Sequence, residues 1–131
     1  MKKLASTIFF CALTIITSLT LSMTPATAQP GMANVEDCTA VGYFERFHFN
    51  AGAVNLCTFR INVWIMLRDN GQTVNGVIAS RAIFDSGVTR ADALSRGWVW
   101  AACRAGYEPN VAVSLENLET IRTGQYRCIR R

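Results

Sequence analysis

Lysine is almost missing from this chain: Lys2 and Lys3 are the only two, and from Gln29 onward all eleven cations are arginines. Histidine occurs once, as His48, and proline three times, at Pro25, Pro30 and Pro109. These scarcities exclude whole classes of function. Against nine acids, the eleven arginines leave residues 29–131 with a net charge of +2, too little for nonspecific DNA binding, which needs several cations clustered on one face. Nucleic acid is therefore not an expected partner. A single histidine, set between Phe47 and Phe49, lacks the companions that a catalytic base or metal centre requires. In an extended segment His48 would share a face with Arg46 and Asn50 as a structural residue. No GxSxG elbow, Walker A loop, dinucleotide glycine pattern, EF-hand loop or CxxC pair occurs, so no catalytic residue, cofactor or metal is assigned.

What is abundant lies first at the amino terminus. Two lysines precede an apolar run over residues 4–23, and Ala26-Thr27-Ala28 supplies small residues before a cut. That is the layout of a secretory signal, read as residues 1–28. The run is long enough to span a bilayer as an uncleaved anchor. Seven Ser or Thr residues dilute it, and Pro25 with the small-residue triplet favours removal, so no stable membrane span is expected after cleavage. The short basic leader fits a bacterial exporter, which makes the periplasm or the cell exterior the expected address.

Loss of Cys11 with the leader leaves Cys38, Cys57, Cys103 and Cys128, an even set bound for an oxidising compartment. Two disulfides follow, and three pairings are open. The pairing Cys38 with Cys57 and Cys103 with Cys128 is favoured, because each closes a short segment able to fold back as neighbouring strands. Each closure contributes about 3 kcal/mol on the chain-entropy account.

Residues 29–37 carry no periodicity and read as a flexible lead-in to a disulfide-stapled domain over 38–131. Arg60 to Leu67 is the clearest strand: Ile61, Val63, Ile65 and Leu67 alternate with Asn62, Trp64 and Met66, and two largely apolar faces make it central. Asp69-Asn70-Gly71 stops it. Val77 to Phe84 reads as a second strand. Thr89 caps a brief helix through Ser95 that Gly97 closes. Trp98 to Arg104 alternates again, with Trp98, Trp100 and Ala102 on one face and Val99, Ala101 and Cys103 on the other. Gly106 to Asn110 reads as a loop, and Val111 to Leu115 and Ile121 to Ile129 as strands. Thr39 to Phe44 and Arg46 to Asn50 read as extended. The sum is an all-β fold, a small β-sandwich or barrel of six to seven short strands with one brief helix and two disulfides.

Two residue sets suit binding. Arg122, Arg127, Arg130 and Arg131 can meet phosphate or carboxylate groups through forked hydrogen bonds, although arginines on a strand edge also serve simply to block edge pairing. Trp98, Trp100 and Tyr107 can form an aromatic platform, although same-face tryptophans in a small β domain usually fill its core. The expected role is a noncatalytic, exported binding domain whose partner is a protein or an envelope polymer. The competing reading is a small secreted hydrolase using two carboxylates, Glu108 with Glu116 or Glu119, which a cleft lined by both acids would favour. Glu36 and Asp37 read as solvated surface. A purely structural envelope role is the third expectation, met if neither cleft nor patch appears.

Overall fold

The computed structural model describes residues 31–131, so the expected leader lies outside the described residues. Nine strands form three antiparallel three-stranded sheets: β1 (Met32–Ala33), β2 (Thr39–Phe44), β3 (Asn50–Asn55), β4 (Ile61–Leu67), β5 (Thr73–Ile78), β6 (Ile83–Asp85), β7 (Trp98–Arg104), β8 (Tyr107–Pro109) and β9 (Arg127–Arg130). Among the described residues two short α-helices, α1 (Arg90–Arg96) and α2 (Leu118–Arg122), accompany the strands. The sheet orders are β2-β3-β6, β5-β4-β7 and β1-β9-β8.

The alternation along β4 and β7 dictates how these sheets stack. Ile61, Val63, Ile65 and Ala102 face a core shared with Ala53 and Cys57, sealed by Val41, Phe84, Trp98 and Trp100. Met66, Val99, Ala101 and Cys103 face the opposite way, into a second core with Ile121, Tyr126 and Cys128. The β5-β4-β7 sheet is therefore the middle layer, covered on both faces as two apolar faces require. Each outer layer carries a staple. Cys38–Cys57 joins the residue just before β2 to the segment after β3, and Cys103–Cys128 ties β7 in the middle sheet to β9 in the outer one. Both favoured pairings are present.

Glycines make room for Phe84 both within the first layer and against the middle one. A Cβ at Gly52 would lie 2.4 Å from the Phe84 carbonyl oxygen, and one at Gly76 would lie 2.5 Å from the Phe84 ring. Only glycine lets β3, β5 and β6 converge on that aromatic.

The all-β, disulfide-stapled class holds, and helix α1 has the expected ends. Thr89 Oγ1 accepts from the Asp92 amide at 3.1 Å, and Gly97 closes the helix at φ +70°. Several local expectations are corrected. Val77 to Phe84 is two strands rather than one, because a turn at Ser80 and Arg81, with Arg81 at φ +68°, reverses the chain between them. Arg46 to Asn50 is a 3-10 turn followed by His48 and Phe49 in the left-handed region, so exposed His48 shares no strand face with Arg46 and Asn50. Gly106 to Asn110 contains strand β8, at the edge of its sheet, where Pro109 costs least. Val111 to Leu115 forms no strand. Ile121 to Ile129 divides between the end of α2 and β9, because Ile121 packs as the buried side of a helical turn. Residues 32–38, expected as part of the lead-in and its junction, hold strand β1 and a 3-10 turn, Glu36–Cys38, anchored by Asn34, whose amide donates to the Gly124 carbonyl at 2.9 Å.

Candidate functional site

Strand β7 and the 3-10 turn at Glu36–Cys38 meet through Tyr126. Its phenol accepts from the Ala102 amide at 2.7 Å and donates to Glu36 Oε1 at 2.8 Å, while the Val35 amide donates to the Ala102 carbonyl at 3.3 Å. Tyr126 is buried among apolar neighbours, and this burial pushes its phenol far above the usual range, so it acts as a neutral donor. Burial likewise raises the Glu36 carboxyl; the Tyr126 hydrogen bond opposes that rise and adjacent Asp37 adds to it. Glu36 is thus a half-buried acid held in place from across the fold rather than the solvated surface group expected from its neighbours in sequence.

Beside Glu36 opens a cleft of about 150 Å³ lined by Trp98, Val99, Trp100, Ile121 and Arg122. Trp98 is fixed from behind: its indole N–H donates to the Tyr43 hydroxyl at 3.1 Å, and Arg90 lies 5.6 Å from the centre of the Tyr43 ring. Arg122 projects from α2 and binds Glu119 through two N–H groups, one of them Nε to Oε2 at 2.9 Å. That pairing lowers the Glu119 carboxyl below its usual range.

The structure thus brings together three of the residues expected in binding, Trp98, Trp100 and Arg122. The others lie elsewhere. Tyr107 is in β8, packed against the second core, and forms no platform with the tryptophans. Arg127 is tied to the Gly31 carbonyl through Nε at 2.9 Å and through Nη2. Arg130 stands opposite Tyr107 on β9, and Arg131 meets Glu108 at 3.3 Å. The tryptophans do both things weighed for them: they seal the first core and also line the cleft.

A larger, open concavity of about 460 Å³ lies where the middle sheet meets the β1-β9-β8 layer, lined by Trp64, Thr73, Glu108, Asn110, Val111 and Ile129 among others. Glu108 is its only acid, and neither Glu116 nor Glu119 lines it. Each of the two concavities therefore offers one carboxylate, whereas glycoside cleavage needs two facing one bond. Among the described residues no group of three or more metal-ligating side chains converges.

Sequence reading missed Glu36 and Trp64. The alternation of β4 did place Trp64 opposite Ile65, but nothing in the local sequence shows that Glu36 meets a tyrosine 90 positions away.

Comparison with protein families, characterised proteins and solved structures finds no match.

Proposed function

We propose that this protein is an exported, noncatalytic binding domain of the bacterial periplasm or cell exterior, and that it engages its partner at the cleft beside Glu36. One observation carries this reading: Trp98, Trp100, Arg122 and a half-buried carboxylate line a single recess. A concave site with apolar walls and a few fixed polar groups is the usual form of a recognition site. Two intramolecular disulfides support an oxidising, non-cytoplasmic address. Among the described residues no helix is long and apolar enough to cross a membrane.

The hydrolase reading has less support, because Glu36 and Glu108 sit in separate concavities and neither recess is lined by a second acid. A binding role is tested by affinity capture from envelope extracts, comparing the wild type with Arg122→Glu and Glu36→Gln. Both substitutions alter the cleft and leave the sheet ladders untouched. The expected result is a partner held by the wild type and lost from the variants. Equal capture by all three proteins would move the contact surface elsewhere. Turnover of glycan substrates that Glu108→Gln abolishes would replace the proposal with the hydrolase.

A further inference from the structure

The cleft wall is a sheet edge, and its backbone has a definite polarity. Ala102 turns both its N–H and its C=O away from β4, since the former donates to Tyr126 and the latter accepts from Val35. Lateral direction alternates residue by residue along a strand, so Trp100 and Trp98 turn their N–H and C=O groups outward as well. The opposite strand agrees: Leu67, paired with Trp98, donates its N–H at 2.9 Å to the Gln72 carbonyl, on the side away from β7. Among the described residues no backbone group meets Trp98 or Trp100 on the outer side. Two rungs are therefore open within the cleft, directly in line with the rung that Val35 fills at Ala102.

We propose that the β7 edge at Trp98 and Trp100 takes up an extended peptide segment of a partner protein as an added strand, with a basic side chain of that segment meeting Glu36. This rests on the binding reading above and names the class of partner. Outward N–H and C=O pairs at two-residue spacing are the complement of an extended peptide backbone. Charge selects further. Glu119 compensates Arg122, whereas Glu36 has no cationic partner among the described residues, so the uncompensated charge in the recess is negative. The tryptophan side chains seal the first core as well as lining the cleft, so they wall the recess while main-chain hydrogen bonds and the Glu36 contact supply the selective recognition.

Amide hydrogen exchange on the purified protein is the first readout. In the free monomer, Trp98 and Trp100 should exchange about 100-fold faster than Val99 and Ala101, whose amides pair with β4. A displayed heptapeptide library panned against the protein should then enrich extended sequences bearing Lys or Arg. Binding of the selected peptides should slow exchange at Trp98 and Trp100. Affinity should fall about tenfold with Glu36→Gln, which still accepts from Tyr126, and should vanish when alternate peptide amides are methylated. Three results would overturn the inference: protected Trp98 and Trp100 amides in the free monomer, no peptide enriched, or selected peptides that leave those amides fast. Protection that rises with protein concentration would identify a second copy as the occupant and would also overturn it. Retention of an envelope glycan at the cleft with both amides unchanged would sink the peptide and leave the binding role standing.

Discussion

Glu36 and Tyr126, 90 residues apart in sequence, share a hydrogen bond of 2.8 Å that locks the amino-terminal turn to the β7 edge. The same phenol satisfies the Ala102 amide, so one oxygen serves a buried backbone donor and a carboxylate. Tyr126→Phe keeps the ring and deletes both contacts, leaving a buried N–H unpaired. Urea unfolding should show a loss of about 1–3 kcal/mol. A change below about 0.5 kcal/mol, the level of an ordinary surface substitution, would mean that the phenol does not anchor the turn.

The pH dependence of stability should isolate Glu36. Its carboxyl is raised in the folded protein, chiefly by burial, so the folded state holds this proton more tightly than the unfolded chain. The resulting stabilisation is fully present below the unfolded value, near pH 4, and is lost as pH rises through the folded value. Asp69 and Glu119 are lowered by their arginine partners and act in the opposite sense. The difference between wild type and Glu36→Gln cancels those two. Relative to the variant, the wild type should lose stability as pH rises above the unfolded value and through the raised folded one; parallel curves would show that burial does not perturb the acid.

The two staples do different mechanical work. Cys38–Cys57 closes 19 residues at the edge of the first layer, whereas Cys103–Cys128 closes 25 and joins the middle sheet to an outer one. Loop closure alone makes them similar, at about 3 kcal/mol each. Replacing Cys103 and Cys128 together by Ala should cost about 2–5 kcal/mol and lower the melting temperature. Because Cys103 and Cys128 are fully buried in the second core, that pair should also loosen Tyr126, visible as faster exchange of the Ala102 amide. An unchanged melting temperature would remove the second staple from any structural role.

Phe84 is one of the side chains that pack the first layer against the middle sheet, and Gly76 makes room for it. A methyl at Gly76 would press into the ring at 2.5 Å, so Gly76→Ala should destabilise by about 1–3 kcal/mol through overpacking. Unlike Gly52, whose obstruction is the Phe84 backbone, Gly76 meets only a side chain. Adding Phe84→Leu should recover part of the loss. If the double variant is no more stable than Gly76→Ala alone, the cost lies in the strand backbone and not in the ring.

The elements legible in the sequence are those whose side chains record both neighbours. β4 and β7 carry one apolar pattern per face, so their alternation disclosed the middle layer, and Thr89 with Gly97 marked both ends of α1. Elements whose geometry is set from outside were not legible. The reversal at Ser80 and Arg81 uses a left-handed arginine where glycine or asparagine would have signalled a turn. Ile121 carries a β-branched side chain within a five-residue helix, too short for a 3.6-residue period to show. The tryptophans of the cleft were visible because they share a strand face. Glu36 was not, since its environment is made by Tyr126 and by Gly124, where a Cβ would fall 2.7 Å from Glu36 Oε2.

Asn62 is the one position where the middle layer works against its own packing. It lies within β4 on the face that carries Trp64 and Met66, 8% exposed, and among the described residues its Oδ1 is a buried side-chain acceptor without a hydrogen-bond donor. A desolvated carbonyl in that state gives up its water contacts and gains nothing in exchange, whereas an apolar side chain of similar size keeps the volume without the penalty. Asn62→Leu should therefore raise stability by about 1 kcal/mol, measured as a higher urea midpoint with an unchanged slope. The same substitution leaves the β7 edge and Glu36 untouched, so partner capture at the cleft should persist. A lowered midpoint would show that Asn62 is satisfied by a bound group in the folded protein.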